Sequence, residues 1–519
     1  MTLPFQQNQS NLMTLIPLKI PSGFYRIGTD LDASGRWRDG SLVRWREGSL
    51  RPIGGWRTHP TLGQVTTYAP RGMHAWKSLN GTRYIAAGSY SELFAGIAAG
   101  AKFDITPSDL VDGQEIATQN LGYGYGYYGG NGTSILTGHT YGTPRPDTGN
   151  VVAATTWSLD NWGEYLVACS TTDGRLLEWQ LGTTSDAAPI TNAPINNIGL
   201  IVTEERFIFA LGSGGNPRKI AWCDRENNTV WSPLATNEAG DYELQTSGEI
   251  QTAVRTRGQT LILTDVDSYS GRYSGPPYIF GFERVGTNCG VISHKAAADT
   301  DAGVFWMGTG GFFRFDGNRV SEIPCAVHDH IFENLNVDQK SLTWAHVNAE
   351  FGEIWWFYCS NAATEIDKYV AFDYKENHWL IGDLSRTSGV SRGVFAFPMM
   401  FDSHGTVFDH EIGLSYETSS SQQSVFAETG PISLGNGDNV MQVTELIPDE
   451  KTQGDVSIKF KSRFYPNATE STHGPFTPAN PTPVRFQGRQ VRMRVEGDTP
   501  YAAWNVGTMR IDAKRGGKR

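Results

Sequence analysis

Gly303 to Val320, which reads GVFWMGTGGFFRFDGNRV, contains the pattern from which the fold is predicted. Val304 to Met307 is a short apolar run of strand-forming residues, Thr309-Gly310-Gly311 is a turn, and Phe312 to Phe315 is a second apolar run. This pattern predicts a β-hairpin. A single hairpin cannot bury both of its faces, so a unit of this kind requires neighbours stacked beside it.

Paired runs of the same kind recur along the chain. Clear copies begin at Tyr165, Phe207 and Ile354. Weaker copies begin near three further positions: Tyr84, Leu261 and Val394. The interval between starts is about 40 to 55 residues, which is the length of one four-stranded propeller blade. Helical solenoid repeats would show an apolar period of about 3.6 residues, and the chain lacks that period.

These repeats predict an all-β chain whose middle part is a β-propeller. Seven starts indicate six to eight blades, because degenerate repeats are easily missed. The alternative architecture is a large irregular array of β-sandwiches. From about Gly430 the rhythm stops, and alternating strands predict an additional C-terminal β-sandwich-like domain, with a Pro/Asn/Thr-rich loop at 466–483. Its strands are expected at Val456 to Phe460, Val491 to Val495 and Met509 to Ile511.

We therefore expect three regions. Residues 1–60 form an N-terminal arm and hairpin that join the propeller or ring. Residues 61–429 form the propeller, with a Gly/Tyr-rich insertion near 89–156, and residues 430–519 form the β-rich end with a basic, Gly-rich tail. The insertion contains LGYGYGYYGGNGT at 121–133, a run too flexible to pack as a blade.

The composition favours many short strands joined by tight turns. The 519 residues include 59 Gly and 25 Pro, with 12% aromatic and 19% charged residues. This length allows two or three domains and a large core, and little helix is expected. The net charge of −11 argues against tight wrapping of nucleic acid, because phosphate neutralisation needs a surplus of Lys and Arg on the contact face.

The cysteines indicate neither a disulfide framework nor a zinc site. There are five, widely spaced and without a CxxC pair, and several lie inside apolar runs. They are expected to be reduced core residues: Cys169, Cys223, Cys289, Cys325 and Cys359.

The first residues show no basic segment followed by a long apolar one, and nowhere do 18 apolar residues run together. We expect neither a signal peptide nor a membrane segment.

Arg and Trp alternate in the first sixty residues. Val43-Arg44-Trp45-Arg46, a Glu47-Gly48 turn and Leu50 to Trp56 predict a hairpin. Arginines interleaved with tryptophans suit single-stranded nucleic acid, where bases stack on the aromatic rings. The alternative is a two-faced strand that buries Trp on one side and presents Arg on the other, paired with carboxylates or stacked on aromatic rings. Interspersed Asp and Glu favour the second interpretation.

The order of segments resembles one known family. PSGFYRIGT at 21–29 precedes GRWRDGSLVRWREGSLRPIGGWR at 35–57, the propeller repeats follow, and VRMRVEG, AWNVGTMRID and a basic tail end the chain. This order is similar to that of the tail nozzle proteins of short-tailed bacteriophages, also called tail tubular proteins of the B type, which are related to phage packaged-DNA stabilisation proteins. The resemblance spans nearly the whole chain and is strongest at residues 20–57 and 484–519.

The resemblance implies a structural virion protein of the bacteriophage tail, assembled in the host cytoplasm. Members of the family are β-propeller proteins that form a hexamer below the portal and adaptor, surround the DNA exit channel, retain packaged DNA and conduct it during ejection. The expected partners are other copies of the chain, the adaptor or portal above, tail fibre, spike or needle proteins alongside or below, and genomic double-stranded DNA that passes without specific binding.

Two sets of residues are candidate assembly or channel contacts. Basic residues at the hairpin and tail can reach phosphates or acidic grooves, and tyrosines of the Gly/Tyr run can contact a neighbouring subunit, line the channel or belong to a plain surface loop. The candidates are Arg44, Arg46, Arg51, Tyr123, Tyr125, Tyr127, Lys514, Arg515, Lys518 and Arg519.

We expect no enzyme activity, no cofactor and no metal. A helix from Pro324 or Cys325 to about Leu335 is the only one predicted in the propeller, and its His328 and His330 are two residues apart, so they point to different sides. The same spacing objection applies to Asp409-His410-Glu411. The chain carries no HExxH or GxxxxGK[ST] motif.

The alternative function is a propeller tail protein that binds or cleaves host surface glycans, for which Asp173-Gly174 with Trp179 is a partial turn signature.

Overall fold

Strands dominate the chain, of which the structure, a computed structural model, describes residues 14–119, 151–182, 185–416, 423–433, 439–452, 454–497 and 503–517. Five strands precede the first blade: β1 (Thr14–Pro17), β2 (Trp37–Ser41), β3 (Val43–Arg46), β4 (Ser49–Pro52) and β5 (Trp56–Thr58). β3 and β4 form the predicted hairpin, in which Trp45 faces Leu50 across the pair.

Four-stranded antiparallel sheets then follow one another in chain order. Blade 1 contains β6 (Met73–Lys77), β7 (Arg83–Gly88), β8 (Leu93–Ile97) and β9 (Lys102–Asp104). A separate pair comprises β10 (Thr118–Gln119) and β11 (Val151–Val152). Blade 2 contains β12 (Trp157–Trp162), β13 (Tyr165–Ser170), β14 (Leu177–Trp179) and β15 (Ala188–Pro189). Blade 3 contains β16 (Gly199–Val202), β17 (Ile208–Leu211), β18 (Lys219–Trp222) and β19 (Gly240–Glu243), with a 3₁₀ turn at Ser213–Gly215.

The next four sheets continue this plan. Blade 4 contains β20 (Ile250–Thr256), β21 (Gln259–Thr264), β22 (Ser268–Gly275) and β23 (Ile279–Gly286). Blade 5 contains β24 (Ala297–Thr300), β25 (Gly303–Met307), β26 (Phe312–Phe315) and β27 (Val320–Ile323), followed by helix α1 (His328–Phe332) and a 3₁₀ turn at Lys340–Leu342. Blade 6 contains β28 (Trp344–Asn348), β29 (Glu353–Tyr358), β30 (Lys368–Asp373) and β31 (His378–Asp383). Blade 7 contains β32 (Ser388–Val390), β33 (Met399–Phe401), β34 (Val407–His410) and, from the N-terminal part, β5.

The described residues thus form a propeller of seven blades, which confirms the predicted fold class. The first strand of each blade lies beside the first strand of the next, from β6 round to β32 and back to β6. Strand β5 closes the circle by pairing with β34, where His410 faces Trp56. Beyond that pair, the His59 N–H donates to the Val407 carbonyl at 2.8 Å. An early strand therefore supplies the fourth, outermost strand of the last blade and ties the start of the propeller to its end.

Apolar clusters fill the spaces between neighbouring blades. Phe209 and Trp222 of blade 3 pack against Phe280 of blade 4, with ring centroids 4.7 and 5.3 Å apart. Separate clusters join blades 1 and 2, blades 2 and 3, and blades 7 and 1. The largest cluster extends from blades 4 to 6 into the N-terminal hairpin and the C-terminal sheets. Each blade buries a face that it could not bury alone.

The predicted sandwich is present, and it includes N-terminal strands. Its later strands are β35 (Phe426–Thr429), β36 (Ile432–Ser433), β37 (Met441–Ile447), β38 (Val456–Arg463), β39 (Ser471–Phe476), β40 (Thr482–Gly488), β41 (Gln490–Gly497) and β42 (Arg510–Arg515). One sheet has the order β1-β42-β37-β40, and the other has the order β2-β35-β41-β38-β39, with β36 also on β41. Residues 1–60 therefore do not form a separate region: β1 and β2 belong to the sandwich and β5 belongs to the propeller.

Three local expectations differ from the structure. The helix expected from Pro324 or Cys325 to Leu335 spans only His328–Phe332, although Val327, Ile331 and Leu335 are buried as its spacing predicts. The loop expected at 466–483 contains strand β39, which pairs with β38. The basic tail begins later than expected, because Lys514 and Arg515 are the last residues of β42 and pair with β37.

All five cysteines are free, and four are buried, as expected for reduced core residues. Burial raises the pKa of the Cys223 thiol to about 12. In the described part of the chain, no helix is both long and apolar enough to cross a bilayer.

Candidate functional site

The β3–β4 hairpin lies in the joint between the propeller and the sandwich. On the sandwich side, Leu50 and Val506 exchange two backbone hydrogen bonds, each 2.9 Å long. On the propeller side, the Leu42 N–H donates to the Tyr369 hydroxyl of β30 at 3.0 Å. The hairpin thereby connects the two parts of the molecule directly.

Arg44 anchors the hairpin to two blades. Its guanidinium donates two hydrogen bonds of 2.9 Å to Glu353 of β29, and bonds of 3.0 and 2.6 Å to Glu411, which follows β34. The Arg44 side chain is 2% exposed and lies 3.7 Å from the centroid of the Phe351 ring. Burial alone would lower the pKa of Arg44, but the Glu353 and Glu411 carboxylates outweigh it and raise the pKa above its usual range. Arg44 therefore holds protein carboxylates and offers no surface to another molecule.

The two tryptophans of this segment are buried, as the two-faced-strand interpretation predicts. Trp45 contacts Phe24 edge-on, with ring centroids 5.0 Å apart, and lies beside Trp37. Trp56 packs against Tyr416 at 5.6 Å, and each tryptophan is 3% exposed. Neither tryptophan has a ring face free for stacking on a base.

Of the hairpin arginines, Arg46 and Arg51 remain at the surface. Arg46 is exposed at the end of β3, and Arg51 is half-buried on β4. Burial lowers the pKa of Arg51, and the neighbouring positive charges of Arg46 and Arg44 lower it further. At the other end of the chain, Lys514 is half-buried and Arg515 is exposed on β42. The remaining candidates, Tyr123, Tyr125, Tyr127, Lys518 and Arg519, lie outside the described residues.

An ion network on the sandwich brings together the two ends of the sequence. Asp30 forms ion pairs with Arg38 at 2.9 Å and Arg463 at 3.0 Å, and it also pairs with Arg492. Arg492 stands on the outer face of β41 because Met493, the next residue, points into the core. Sequence reasoning missed this network. The alternation in VRMRVEG gives the strand's two faces but does not name the partner 462 residues away.

A cavity of about 290 Å³ lies at the centre of the propeller. Its lining comes from the first strands of blades 1 to 4 and from the start of blade 5. It includes two histidines, one carboxylate and two cations, which are His74, His294, Asp160, Arg255 and Lys295. Because the first strands form the innermost circle of the propeller, this cavity is part of its central channel. No local pattern could predict this cavity, since its five charged and histidine residues come from four separate parts of the chain.

In the channel cavity, the Asp160 carboxylate has several hydrogen-bond donors, whereas the Lys295 ammonium has no counterion among the described residues. Asp160 accepts the Val202 N–H at 3.0 Å, the Asn161 N–H at 2.9 Å and the Arg255 guanidinium at 3.0 Å. Lys295 has no ion-pair partner among the described residues. Burial lowers the pKa of Lys295 to about 8, against a smaller opposing effect of Asp160. The cavity therefore carries an uncompensated positive charge at neutral pH.

A second cavity, of about 570 Å³, lies between blades 4 and 5. Three arginines line it, and each donates to a backbone carbonyl: Arg257 to Asp301, Arg272 to Gly317 and Arg314 to Ala302. Arg257 and Arg272 of blade 4 bind turns of blade 5, whereas Arg314 binds a turn of its own blade. Asp301 and Asp316 lie on the wall of the polar hollow that remains.

The motif residues considered for metal binding or catalysis are engaged elsewhere. His410 accepts from Arg386 Nε at 2.9 Å, and Glu411 binds Arg44. Another group of potential ligands, Asp373, Glu376 and His378, has its ligand atoms within 4.8 Å of one another. Asp373 accepts two backbone N–H groups of its own turn, and Glu376 accepts the Glu47 N–H. A GxSxG spacing at 389–393 begins within β32, and the next element is strand β33, whereas a nucleophile elbow requires a following helix.

Known proteins resemble the chain in fold only. A streptogramin B lyase structure is 8% identical, with a TM-score of 0.38, and the match covers 67% of this chain and 95% of that one. Virginiamycin B lyase from Staphylococcus aureus is 8% identical, with a TM-score of 0.40 and coverages of 67% and 97%. PorZ, a surface component of the type-IX secretion system of Porphyromonas gingivalis, is 7% identical, with a TM-score of 0.35 and coverages of 75% and 44%. No protein-family model and no curated protein matches the sequence.

Proposed function

We propose that the protein is a structural component of a short-tailed bacteriophage virion, where six copies form a nozzle that extends the DNA exit channel below the portal and adaptor. In this role it retains packaged DNA and conducts it during ejection. The proposal rests on the resemblance of residues 20–57 and 484–519 to the tail nozzle family.

The arrangement of these two segments supports the proposal. They are more than 400 residues apart in the chain, yet Asp30 pairs with Arg492 and Leu50 bonds to Val506. The segments that carry the resemblance therefore belong to one structural unit. A conduit under packaging pressure needs rigid connections, and the buried Arg44 bonds supply one between this unit and the propeller.

Electron microscopy tests the proposal. Negative-stain images of the purified protein are expected to show six-fold rings with a central opening. In intact virions, an antibody against this chain should label the tail below the portal. Label on the capsid shell or on distal fibres, or a protein that stays monomeric at all concentrations and with the adaptor present, would exclude the nozzle.

A second candidate function, binding of acidic host glycans, is favoured by the cavity of Arg257, Arg272 and Arg314. Arginines that converge on a polar hollow suit carboxylated or sulfated sugars. A glycan array separates the two functions. The nozzle predicts no saturable binding, whereas the glycan function predicts saturable binding that Arg272→Gln weakens and that a monomer retains.

A further inference from the structure

The central cavity of the propeller has the features of an anion site. We propose that it binds a small tetrahedral oxyanion, phosphate or sulfate, between Lys295 and Arg255. This inference is independent of the proposed nozzle, since it concerns the inside of one propeller and not the assembly.

The charge balance of the cavity supports an anion. Its lining holds two cations, Lys295 and Arg255, against the single carboxylate of Asp160. That carboxylate already accepts three hydrogen bonds, one of them from Arg255, so it has little capacity left for Lys295. The cavity thus concentrates positive charge inside a protein whose net charge is −11. A half-buried ammonium without a counterion is costly, and a bound anion would remove that cost.

The histidines do not cancel this excess. Burial lowers the pKa of His74, with smaller effects from Asp160 and Asn161 in the opposite direction, and burial also lowers the pKa of His294. Both are therefore neutral at pH 7 and above. Neutral histidines leave the charge of the cavity unchanged, and the side chains of Ser158 and Thr252, which also line it, are neutral as well.

The positions of the cationic groups around the cavity favour a tetrahedral anion over a planar one. The cationic groups reach the cavity from blade 4 and from the start of blade 5, and the wall opposite belongs to blades 1 to 3. An anion with four oxygens can meet donors that come from several directions, whereas a planar carboxylate suits one guanidinium. A volume of about 290 Å³ holds a hydrated phosphate or sulfate and excludes a nucleic acid duplex.

Calorimetric titration of the full-length protein tests the site. Sodium phosphate and sodium sulfate, each at ionic strength held constant with chloride, are expected to bind one saturable site per chain. Lys295→Met should weaken binding by about tenfold or more, because it removes a charge-assisted hydrogen bond. Arg255→Gln should weaken it as well. Lys375→Met removes an exposed lysine outside the cavity and should leave the affinity unchanged.

A pH series and a second anion complete the test. Sulfate keeps its charge between pH 7 and 10, so weaker binding towards pH 10 would reflect deprotonation of Lys295. Acetate at the same ionic strength is expected to bind about tenfold more weakly or not at all. The proposal is overturned if no saturable binding is found, if both cavity variants bind as the wild type does, if acetate matches sulfate, or if sulfate affinity is constant across the pH series.

Discussion

Arg44 connects the N-terminal hairpin to the propeller, although its sequence pattern also suits a surface that binds nucleic acid. It sits in a strand where arginines alternate with tryptophans, a pattern that also suits nucleic acid binding. Its neighbour Arg46 is exposed, whereas Arg44 is enclosed by Glu353 and Glu411. The difference depends on carboxylates more than 300 residues away, which local sequence cannot reveal.

Arg44→Met is expected to lower the free energy of unfolding by about 3 to 5 kcal/mol, because the 1%-exposed Glu353 would lose its cation. Urea denaturation followed by tryptophan fluorescence measures the change. Arg46→Met, which removes an exposed arginine two residues away, should stay within about 0.5 kcal/mol of the wild type. Adding Glu353→Gln to Arg44→Met should recover part of the loss. Equal stability of the two single variants would contradict the assignment of Arg44 as an anchor.

Lys295 predicts that the free energy of unfolding rises with pH. Its pKa is about 8 in the folded protein and about 10.4 in an unfolded chain, so between these values the unfolded state binds more protons. The unfavourable contribution is complete below pH 8 and fades as the pH rises towards 10.4. In buffer without phosphate or sulfate, Lys295→Met should be about 1 to 3 kcal/mol more stable than wild type at pH 7.

This difference should shrink at pH 10, where urea unfolding of both proteins gives the comparison. Lys375→Met serves as the control, with no pH-dependent difference from wild type. A stability gain for Lys295→Met that is the same at pH 7 and pH 10 would refute the linkage.

The elements found from the sequence are those buried on both faces. The starts at Tyr165, Phe207, Leu261, Gly303 and Ile354 fall within or next to the second strands of blades 2 to 6, where nearly every residue is buried. A strand buried on both sides must be continuously apolar, which makes it visible. First strands mix polar and apolar residues because they face the channel, and outer strands such as β19 are exposed. These strands, and with them the channel cavity, could not be located from the pattern.

Strand β5 shows what else the sequence could not predict. It lies at the end of an N-terminal hairpin region, and only its pairing with β34 shows that it completes blade 7. Closure depends on contacts between residues about 350 apart, so no local periodicity reports it. Trp56 anchors this strand between Tyr416, His410 and the Arg386 guanidinium.

Trp56→Ala is expected to cost about 3 to 5 kcal/mol, because it leaves a cavity where the closing strand meets blade 7. Trp56→Phe keeps part of the ring and should cost less. Thermal unfolding followed by far-UV circular dichroism gives the ranking, with DNA association measured on the same samples. A Trp56→Ala protein with an unchanged melting temperature but weaker DNA association would show that Trp56 acts on nucleic acid.

The propeller and the sandwich are joined through the N-terminal segment. That segment gives β1 and β2 to the sandwich, β5 to the propeller and the hairpin to the joint. The covered outer strand of blade 6 belongs to the same joint: Phe24 donates its N–H to the Trp379 carbonyl, and Ser41 accepts the Asp383 N–H. The molecule is therefore expected to move as one body, which suits a subunit of a rigid tail.

The net charge of the chain predicts how strongly the protein binds DNA. Each phosphate neutralised by Lys or Arg adds affinity through counterion release, so a conduit lined with cations would hold the DNA that it must pass. With a net charge of −11, the isolated protein is expected to bind duplex DNA only non-specifically, with a Kd of roughly 10⁻⁴ to 10⁻⁶ M at physiological salt. Filter binding against salt concentration measures this affinity.

Lys514→Gln with Arg515→Gln removes two charges of β42 and should impair assembly into rings while leaving DNA affinity unchanged. Tight, sequence-specific DNA binding, or loss of DNA affinity in this double variant with normal assembly, would argue that the chain grips DNA instead of conducting it.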